Sequence, residues 1–211
     1  MRNTANRWDF VSRETEEALE AFVRLVLKWT PKINLISRNT VNSIWDRHIA
    51  DSLELWPHIP KQAETLADLG SGGGLPVIPL AIIAKTERPD LKFHAVESDQ
   101  RKAAFLRKVS IDLDLKLTIH AERIEKSSPL SACVVTARAL SPLVDLLPLC
   151  ARHMDKDGIA LLPKGASHQM ELRQALECWS FSVQTYPSHT DSNAVILKIE
   201  SIQSAQVQKS P

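Results

Sequence analysis

Four of the six glycines in this 211-residue chain fall in one stretch, Asp68-Leu69-Gly70-Ser71-Gly72-Gly73-Gly74-Leu75-Pro76. Glycine lets the backbone adopt positive φ and approach a ligand with no Cβ in the way. Residues 65–69 before it read as a strand. Pro76 after it suits the first turn of a helix, where the missing N–H has no partner to lose. A turn so placed offers free helix-start N–H groups to an anion. Gly70-x-Gly72 begins as a dinucleotide fingerprint would, but Leu75 stands where the third glycine or an alanine belongs. No Gly-Lys-Ser/Thr follows, so a phosphate-binding P-loop is excluded too. The next strand ends at Glu97, roughly twenty residues beyond the loop, where a carboxylate can accept hydrogen bonds from both hydroxyls of a ribose. Loop and acid together point to an adenosine-bearing cofactor.

Two cations stand at places where such a ligand would be met. Arg138 follows the fourth strand and Lys164 the fifth, both at the carboxyl edge of the expected sheet, the edge at which open α/β sheets bind ligands. A guanidinium there can fork to a base oxygen or to a phosphate. Lys164, in Leu-Leu-Pro-Lys-Gly, is either a substrate contact or a solvated turn residue.

The elements that must hold these groups are legible as two regimes. Residues 14–60 read as helical: Ala18, Phe22, Leu25, Val26 and Trp29 recur at helical spacing, as do Val41, Ile44, Trp45, Ile49, Leu53 and Trp56. Pro31 and the 34–42 stretch separate the two helices. From residue 65, apolar strands at 65–69, 92–97, 116–120, 133–137 and 159–162 alternate with helices at 76–85, 99–112, 143–152 and 168–177. That alternation predicts an α/β fold, a parallel sheet covered on both faces. Residues 181–186 and 194–200 are strand-like with no helix between them, which predicts a closing antiparallel hairpin. Such a hairpin marks the sheets of S-adenosylmethionine-dependent methyltransferases, and it turns an adenosine site into a methyl-donor site. The expected organisation is an N-terminal helical region over 1–60, a catalytic domain over 61–200 and a flexible polar tail over 201–211.

Composition narrows the partners by exclusion. Lys and Arg number 26 against 25 Asp and Glu, so any electrostatic footprint must be local. Between residues 24 and 47, Arg24, Lys28, Lys32, Arg38 and Arg47 face the single acid Asp46, a local excess of four that suits RNA phosphates or an ordinary solvated helix face. Arg101, Lys102, Arg107 and Lys108 read as a plain exposed helix surface. No run approaches the roughly 18–20 apolar residues of a membrane span, and the N-terminus lacks the apolar core of a signal peptide. The three cysteines, Cys133, Cys150 and Cys178, fit neither a disulfide framework nor a zinc site, and a reducing cytoplasm is expected. No spare apolar helix asks for a second copy, so a monomer is expected.

Six segments in order carry a more specific resemblance: RHIADSL at 47–53, DLGSGGGLPVIPLAI at 68–82, VESDQRKAAFLRKV at 96–109, AERIE at 121–125, TARAL at 136–140 and LLPKG at 161–165. Over roughly residues 14–200 the chain resembles the ribosomal RNA small subunit methyltransferase G (glucose-inhibited division protein B) family. The resemblance implies a class I (Rossmann-like) S-adenosylmethionine-dependent methyltransferase fold with an N-terminal helical extension. It also implies methyl transfer to guanine N7 in 16S rRNA of the small ribosomal subunit. It assigns Gly70 and Leu75 to flank the methionine end of the cofactor, Gly72 to the cofactor-binding residues, Glu97 to the ribose, Ala121 and Glu122 to the adenine side, and Arg138 to a position near both cofactor and substrate. It also brings Arg47, His48 and Asp51 toward the pocket, where periodicity alone puts His48 on an apolar stripe and makes Arg47 and Asp51 an i,i+4 pair. Gly-Gly-Gly at 72–74 departs from the Gly-Ala-Gly or Gly-Pro-Gly of many relatives, and Gly73 is expected to loosen the loop without removing a contact.

Guanine N7 carries an in-plane lone pair and no proton, so its methylation needs positioning and no general base. The chain lacks the groups that other targets require. Neither Cys133 nor Cys150 follows a proline, as a pyrimidine C5 nucleophile would, and the sole tyrosine, Tyr186, lies in no Asn/Asp-Pro-Pro-Tyr motif. Two other readings use the same residues: a small-molecule methyltransferase whose N-terminal helices form a lid, and a non-catalytic protein that only binds the cofactor.

Overall fold

The computed structural model describes residues 11–205. A long helix, α1 (Arg13–Ile33), opens the described chain. Ser12 caps its start by accepting from the Thr15 N–H, and Asn34, at φ 49°, ends it in the left-handed conformation. Pro31 does not separate two helices as expected; it lies in the last turn of α1, and the stop comes from Asn34. The second expected helix is also not continuous. It is a 3₁₀ turn at Arg38–Ser43, a π turn at Trp45–Ile49, the single α turn α2 (Ala50–Leu53) and a 3₁₀ turn at Trp56–His58. The wide turn shifts the register of residues 45–50 from the α-helical one that the sequence spacing assumes.

The remainder alternates as predicted: β1 (Thr65–Leu69), α3 (Val77–Glu87), β2 (Lys92–Val96), α4 (Gln100–Asp112), β3 (Leu117–His120), β4 (Ala132–Thr136), α5 (Leu143–His153), β5 (Met154–Lys164), α6 (His168–Cys178), β6 (Trp179–Pro187) and β7 (Val195–Ser204). Pro76 stands just before α3, one position earlier than expected. The sheet order is β3-β2-β1-β4-β5-β7-β6, with β7 antiparallel to both neighbours and the other pairings parallel. The order reverses between β1 and β4, and the crevice at the carboxyl ends there is where such sheets take ligands. β7 runs through Ser204, so the first residues of the expected tail are strand. Residues 1–10 of the expected helical region and 206–211 of the tail lie outside the described residues.

α3 is buried at every position from Val77 to Ala84. A helix apolar all round needs cover on both sides, and α1 supplies it opposite the sheet. Phe22, Val26, Leu53 and Leu55 therefore share one core with Leu66, Ile78 and Leu80. The other sheet face packs on Leu143, Leu146, Leu147 and Ala175 of α5 and α6. No helix among the described residues is long and apolar enough to cross a membrane.

Candidate active site

The glycine turn is tied down from its own sheet. The N–H groups of Gly70 and Ser71 both donate to the Val96 carbonyl, at 2.9 and 3.0 Å, which fixes the loop against the end of β2. Gly70, Gly72 and Gly74 take φ values of 71°, 53° and 85°. Gly74 also has no room: a Cβ there would stand 2.5 Å from Ile78 Cγ1 and 3.1 Å from Leu106 Cδ2. Gly73 does more than loosen the turn. A Cβ there would lie 2.9 Å from the Leu35 carbonyl oxygen and 3.2 Å from Leu35 Cβ, so this glycine admits the segment that follows α1.

Glu97 is buried at the end of β2, and its carboxylate accepts from the Gly72 N–H at 2.8 Å through Oε2 and from the Asp99 N–H at 2.7 Å through Oε1. Each oxygen keeps a second lone pair, so the carboxylate is held rigid and can still take two hydroxyls. The loop and Glu97 form one side of a cleft of about 620 Å³, with Leu35, Leu75, Lys102 and Glu122 also on its walls. Beneath the turn, Asp68 is 1% exposed; Thr136 Oγ1 donates to its Oδ1 at 2.8 Å, and its Oδ2 has no partner. Burial pushes its pKa up to about 7, against the Thr136 hydrogen bond that favours the anion. An orphaned buried carboxyl suits a cation bound above it. Glycine cradle, ribose acceptor and orphaned acid together fit S-adenosylmethionine, whose methionine end carries an ammonium.

A second cleft of about 650 Å³ lies on the other side of the Arg138–Ala139–Leu140–Ser141 segment, which lines both. Ala139 sits at φ 52°, uncommon for a residue with a side chain, and such strain clusters at ligand sites. Thr40, Arg47, His48, Asp51, Glu54 and Lys164 line this cleft. The expected Arg47–Asp51 pair is not made. Arg47 reaches across to Asp191 at 2.8 Å, and Asp51 accepts from Thr190. Glu54, one turn further, accepts from Ser188 Oγ at 2.8 Å and from the His189 N–H at 2.7 Å. Three residues of one N-terminal face thus hold the loop between β6 and β7. Burial raises the Asp51 pKa, the Thr190 bond opposing it.

Arg138 is half-buried, and its Nη1 lies 2.8 Å from His48 Nδ1. Burial lowers its pKa while Asp51 and Asp68 pull it back up. Lys164 donates to Glu171 at 2.8 Å and to the Ser141 carbonyl at 3.1 Å, so its ammonium is occupied in tying α6 to the shared segment. Burial works against ionisation of Glu171, but bonds from Lys164 and Ser167 hold its pKa below the ordinary value.

Of the residues singled out from sequence, Gly70, Gly72, Leu75, Glu97, Glu122 and Arg138 line the first cleft, and Arg47, His48, Asp51, Lys164 and again Arg138 line the second. Ala121 lines neither; its carbonyl accepts from Gln100 Nε2 at 2.9 Å. Sequence reasoning missed Asp68, Leu35, Thr40, Glu54, Glu171 and the 188–191 loop, and took Lys102 for plain helix surface. Glu54 had a signal, seven residues after Arg47 and three after Asp51; Thr40 had none.

A seven-stranded sheet with its penultimate position filled by a reversed last strand, a glycine turn after β1 and an acid after β2 define an S-adenosylmethionine-dependent methyltransferase. The solved structures agree on the fold. A SAM dependent methyltransferase from Aquifex aeolicus superposes with a TM-score of 0.56 at 11% identity, over 74% of this chain and 91% of that one. The sequence model of the family described as rRNA small subunit methyltransferase G matches residues 15–196. Ribosomal RNA small subunit methyltransferase G of Cereibacter sphaeroides is 49% identical over 91% of this chain and 93% of its own length. The Ruegeria pomeroyi protein of that name is 44% identical over 95% and 96%. The chain belongs to the rRNA small subunit methyltransferase G family and is a methyltransferase.

Proposed function

We propose that this chain methylates N7 of a guanine in the 16S rRNA of the small ribosomal subunit, in the bacterial cytoplasm. The cofactor occupies the cleft that Glu97 and the glycine turn wall on one side, and the guanine enters the cleft lined by His48, Asp51 and Arg138. The observation that carries this reading is the shared wall: residues 138–141 bound both clefts, so a donor in one and an acceptor in the other meet at Arg138.

S-adenosylmethionine, when bound, supplies an electrophilic methyl on a positively charged sulfur. With it bound, attack by the N7 lone pair on that methyl would release the C–S electrons to sulfur, so no protein group would have to move a proton. The site's net charge is unchanged, because the positive charge passes from sulfur to the purine. The protein's task is therefore orientation. Glu97 fixes the ribose and with it the direction of the donor. Arg138 donates to guanine O6, next to N7, and holds the base plane in line. Asp51 and the buried carboxyl of Asp68 act on Arg138 through their negative charges and so offset its repulsion of the positive charge that passes to the purine. Lys164 acts through Glu171 and Ser141 to hold the shared wall. Lys28, Lys32 and Arg38 meet the RNA backbone; of the other basic residues in that stretch, Arg24 lies 3.5 Å from Glu20 and Arg47 is paired with Asp191.

The test is transfer of radiolabelled methyl from S-adenosylmethionine to naked 16S rRNA and to small subunits, followed by mapping of the labelled nucleotide. Label at N7 of one guanine is expected, with binding that weakens steeply as salt rises. Label on small metabolites with none on rRNA would sink the reading in favour of a lidded small-molecule enzyme.

A further inference from the structure

The cation at the shared wall is held by an unusual partner. A long guanidinium on a strand end samples many rotamers unless something fixes it. Here the directional contact is a neutral imidazole. Arg138 has no acceptor, so the 2.8 Å contact from its Nη1 to His48 Nδ1 requires that Nδ1 be unprotonated. The proton then sits on Nε2, which donates to Thr40 Oγ1 at 2.8 Å, and Thr40 in turn donates to the Ser37 carbonyl at 2.9 Å. Every donor in this chain of bonds has an acceptor, and the direction is the same throughout.

We infer that His48 is a positioning residue: it acts through Arg138, aiming the guanidinium at the acceptor cleft, and it does not itself touch the reacting atoms. This rests on the reading of Arg138 as the base-orienting group. Burial, with Arg138 and Arg47 nearby, lowers the His48 pKa to about 4, so the imidazole stays an acceptor at neutral pH. A carboxylate in its place would engage the guanidinium fork bidentately and cancel its charge. The imidazole takes a single N–H. Both protein contacts of Arg138 among the described residues, to His48 and at 3.4 Å to the Arg47 carbonyl, use Nη1, which leaves the Nη2 and Nε side of the fork for a ligand. Asp51, Asp68 and Arg47 act on the guanidinium through their charges, and these do not set its direction.

Two substitutions separate this role from simple packing. His48→Asn places an amide oxygen near the position of Nδ1 and preserves the acceptor for Arg138. His48→Gln reaches instead toward Thr40 and loses it. With small subunits as substrate, His48→Gln is expected to lower kcat about 100-fold, the scale of a small misplacement of a reacting group, and His48→Asn, which keeps the acceptor, to lower it far less. Cofactor affinity, read by calorimetry, and melting temperature should match in the two variants. Equal kcat in the two, or a loss of kcat that follows melting temperature and cofactor affinity, overturns the inference. A second measurement needs no substrate: the ¹⁵N shifts of His48 at pH 7 should report the Nε2–H tautomer, and protonation at Nδ1 also overturns it. If the wild-type protein labels no rRNA, the proposed function fails while the tautomer still decides the His48 geometry.

Discussion

The two clefts that meet at Arg138 are built in opposite ways. The side of the cofactor cleft that holds the ribose and the methionine end is made by backbone: a glycine turn, N–H groups and a carboxylate held by two of those N–H groups, all within residues 68–99. The acceptor cleft is made by side chains from distant segments: 40–54 bonded to 188–191, His48 to Arg138, and Lys164 to Glu171. A backbone-built site tolerates no added atom but depends little on which side chains surround it. A side-chain-built site tolerates small changes of shape but loses its aim when one partner is cut.

The largest effect should therefore come from one methyl group in the turn that walls the first cleft. Gly74→Ala puts a Cβ 2.5 Å from Ile78 Cγ1 at a φ of 85°, where both the clash and the conformation are unfavourable. A left-handed alanine alone costs about 1–3 kcal/mol, and the contact with Ile78 adds to it. Melting should fall by roughly 5–10 °C in a chain of this size, and cofactor binding with it. Unchanged melting would mean that the turn is more plastic than its packing indicates.

Arg138→Ala tests the other half. Because Arg138 lines both clefts without being needed for the turn, kcat should fall by about 100-fold while cofactor affinity changes by less than about tenfold. Loss of affinity and turnover together would assign Arg138 to anchoring the cofactor, and the contrast between the clefts would vanish.

The same contrast explains what the sequence revealed. The strand–helix alternation, the closing hairpin, the glycine turn and Glu97 were legible because each shows itself in periodicity or turn chemistry over a short stretch of chain. The Arg47–Asp51 pair was misread because helical spacing was assumed across a π turn that takes Arg47 to Asp191 instead. Nothing local in residues 188–191 announces that they are held by Asp51 and Glu54, more than a hundred residues earlier. Asp68 was hidden for a different reason. As the first residue of a familiar motif it looked like a strand end, and only its burial shows that Oδ2 is orphaned.

Asp68 sharpens the comparison at intermediate size, because it is a side chain beneath the backbone-built cleft. Its folded pKa, near 7, lies above the ordinary 3.8. The folded state therefore binds the proton more tightly, and stability falls as pH rises from about 4 to about 7, then stays reduced. Asp68→Asn cannot ionise, so the free variant should gain melting temperature relative to wild type across that window and keep the gain at pH 8. Its affinity for the cationic cofactor should fall roughly tenfold, as expected for a lost charge–charge contribution of about 1.4 kcal/mol. A melting difference independent of pH would show that the carboxyl is ionised throughout.

The smallest expected effect is on the bond that joins the two ends of the chain. Arg47 and Asp191 lie 2.8 Å apart with side chains 47% and 29% exposed. Such a pair stabilises little because water and salt screen it. Asp191→Asn should thus lower melting by no more than about 2–4 °C. The Arg47 contact holds the pKa of Asp191 below the ordinary 3.8, so its contribution is present above that value and is lost as pH falls through the depressed folded pKa. Between Asp191→Asn and wild type, then, the melting difference should be constant at neutral pH and shrink below about pH 4. Glu54, buried and bonded to Ser188 and to the His189 N–H, still holds the loop in that variant. If Asp191→Asn nevertheless abolished methyl transfer with melting unchanged, the Arg47–Asp191 pair itself would have to serve the acceptor directly, and the cleft would depend on an Arg47 aimed by Asp191 rather than only on the loop it holds.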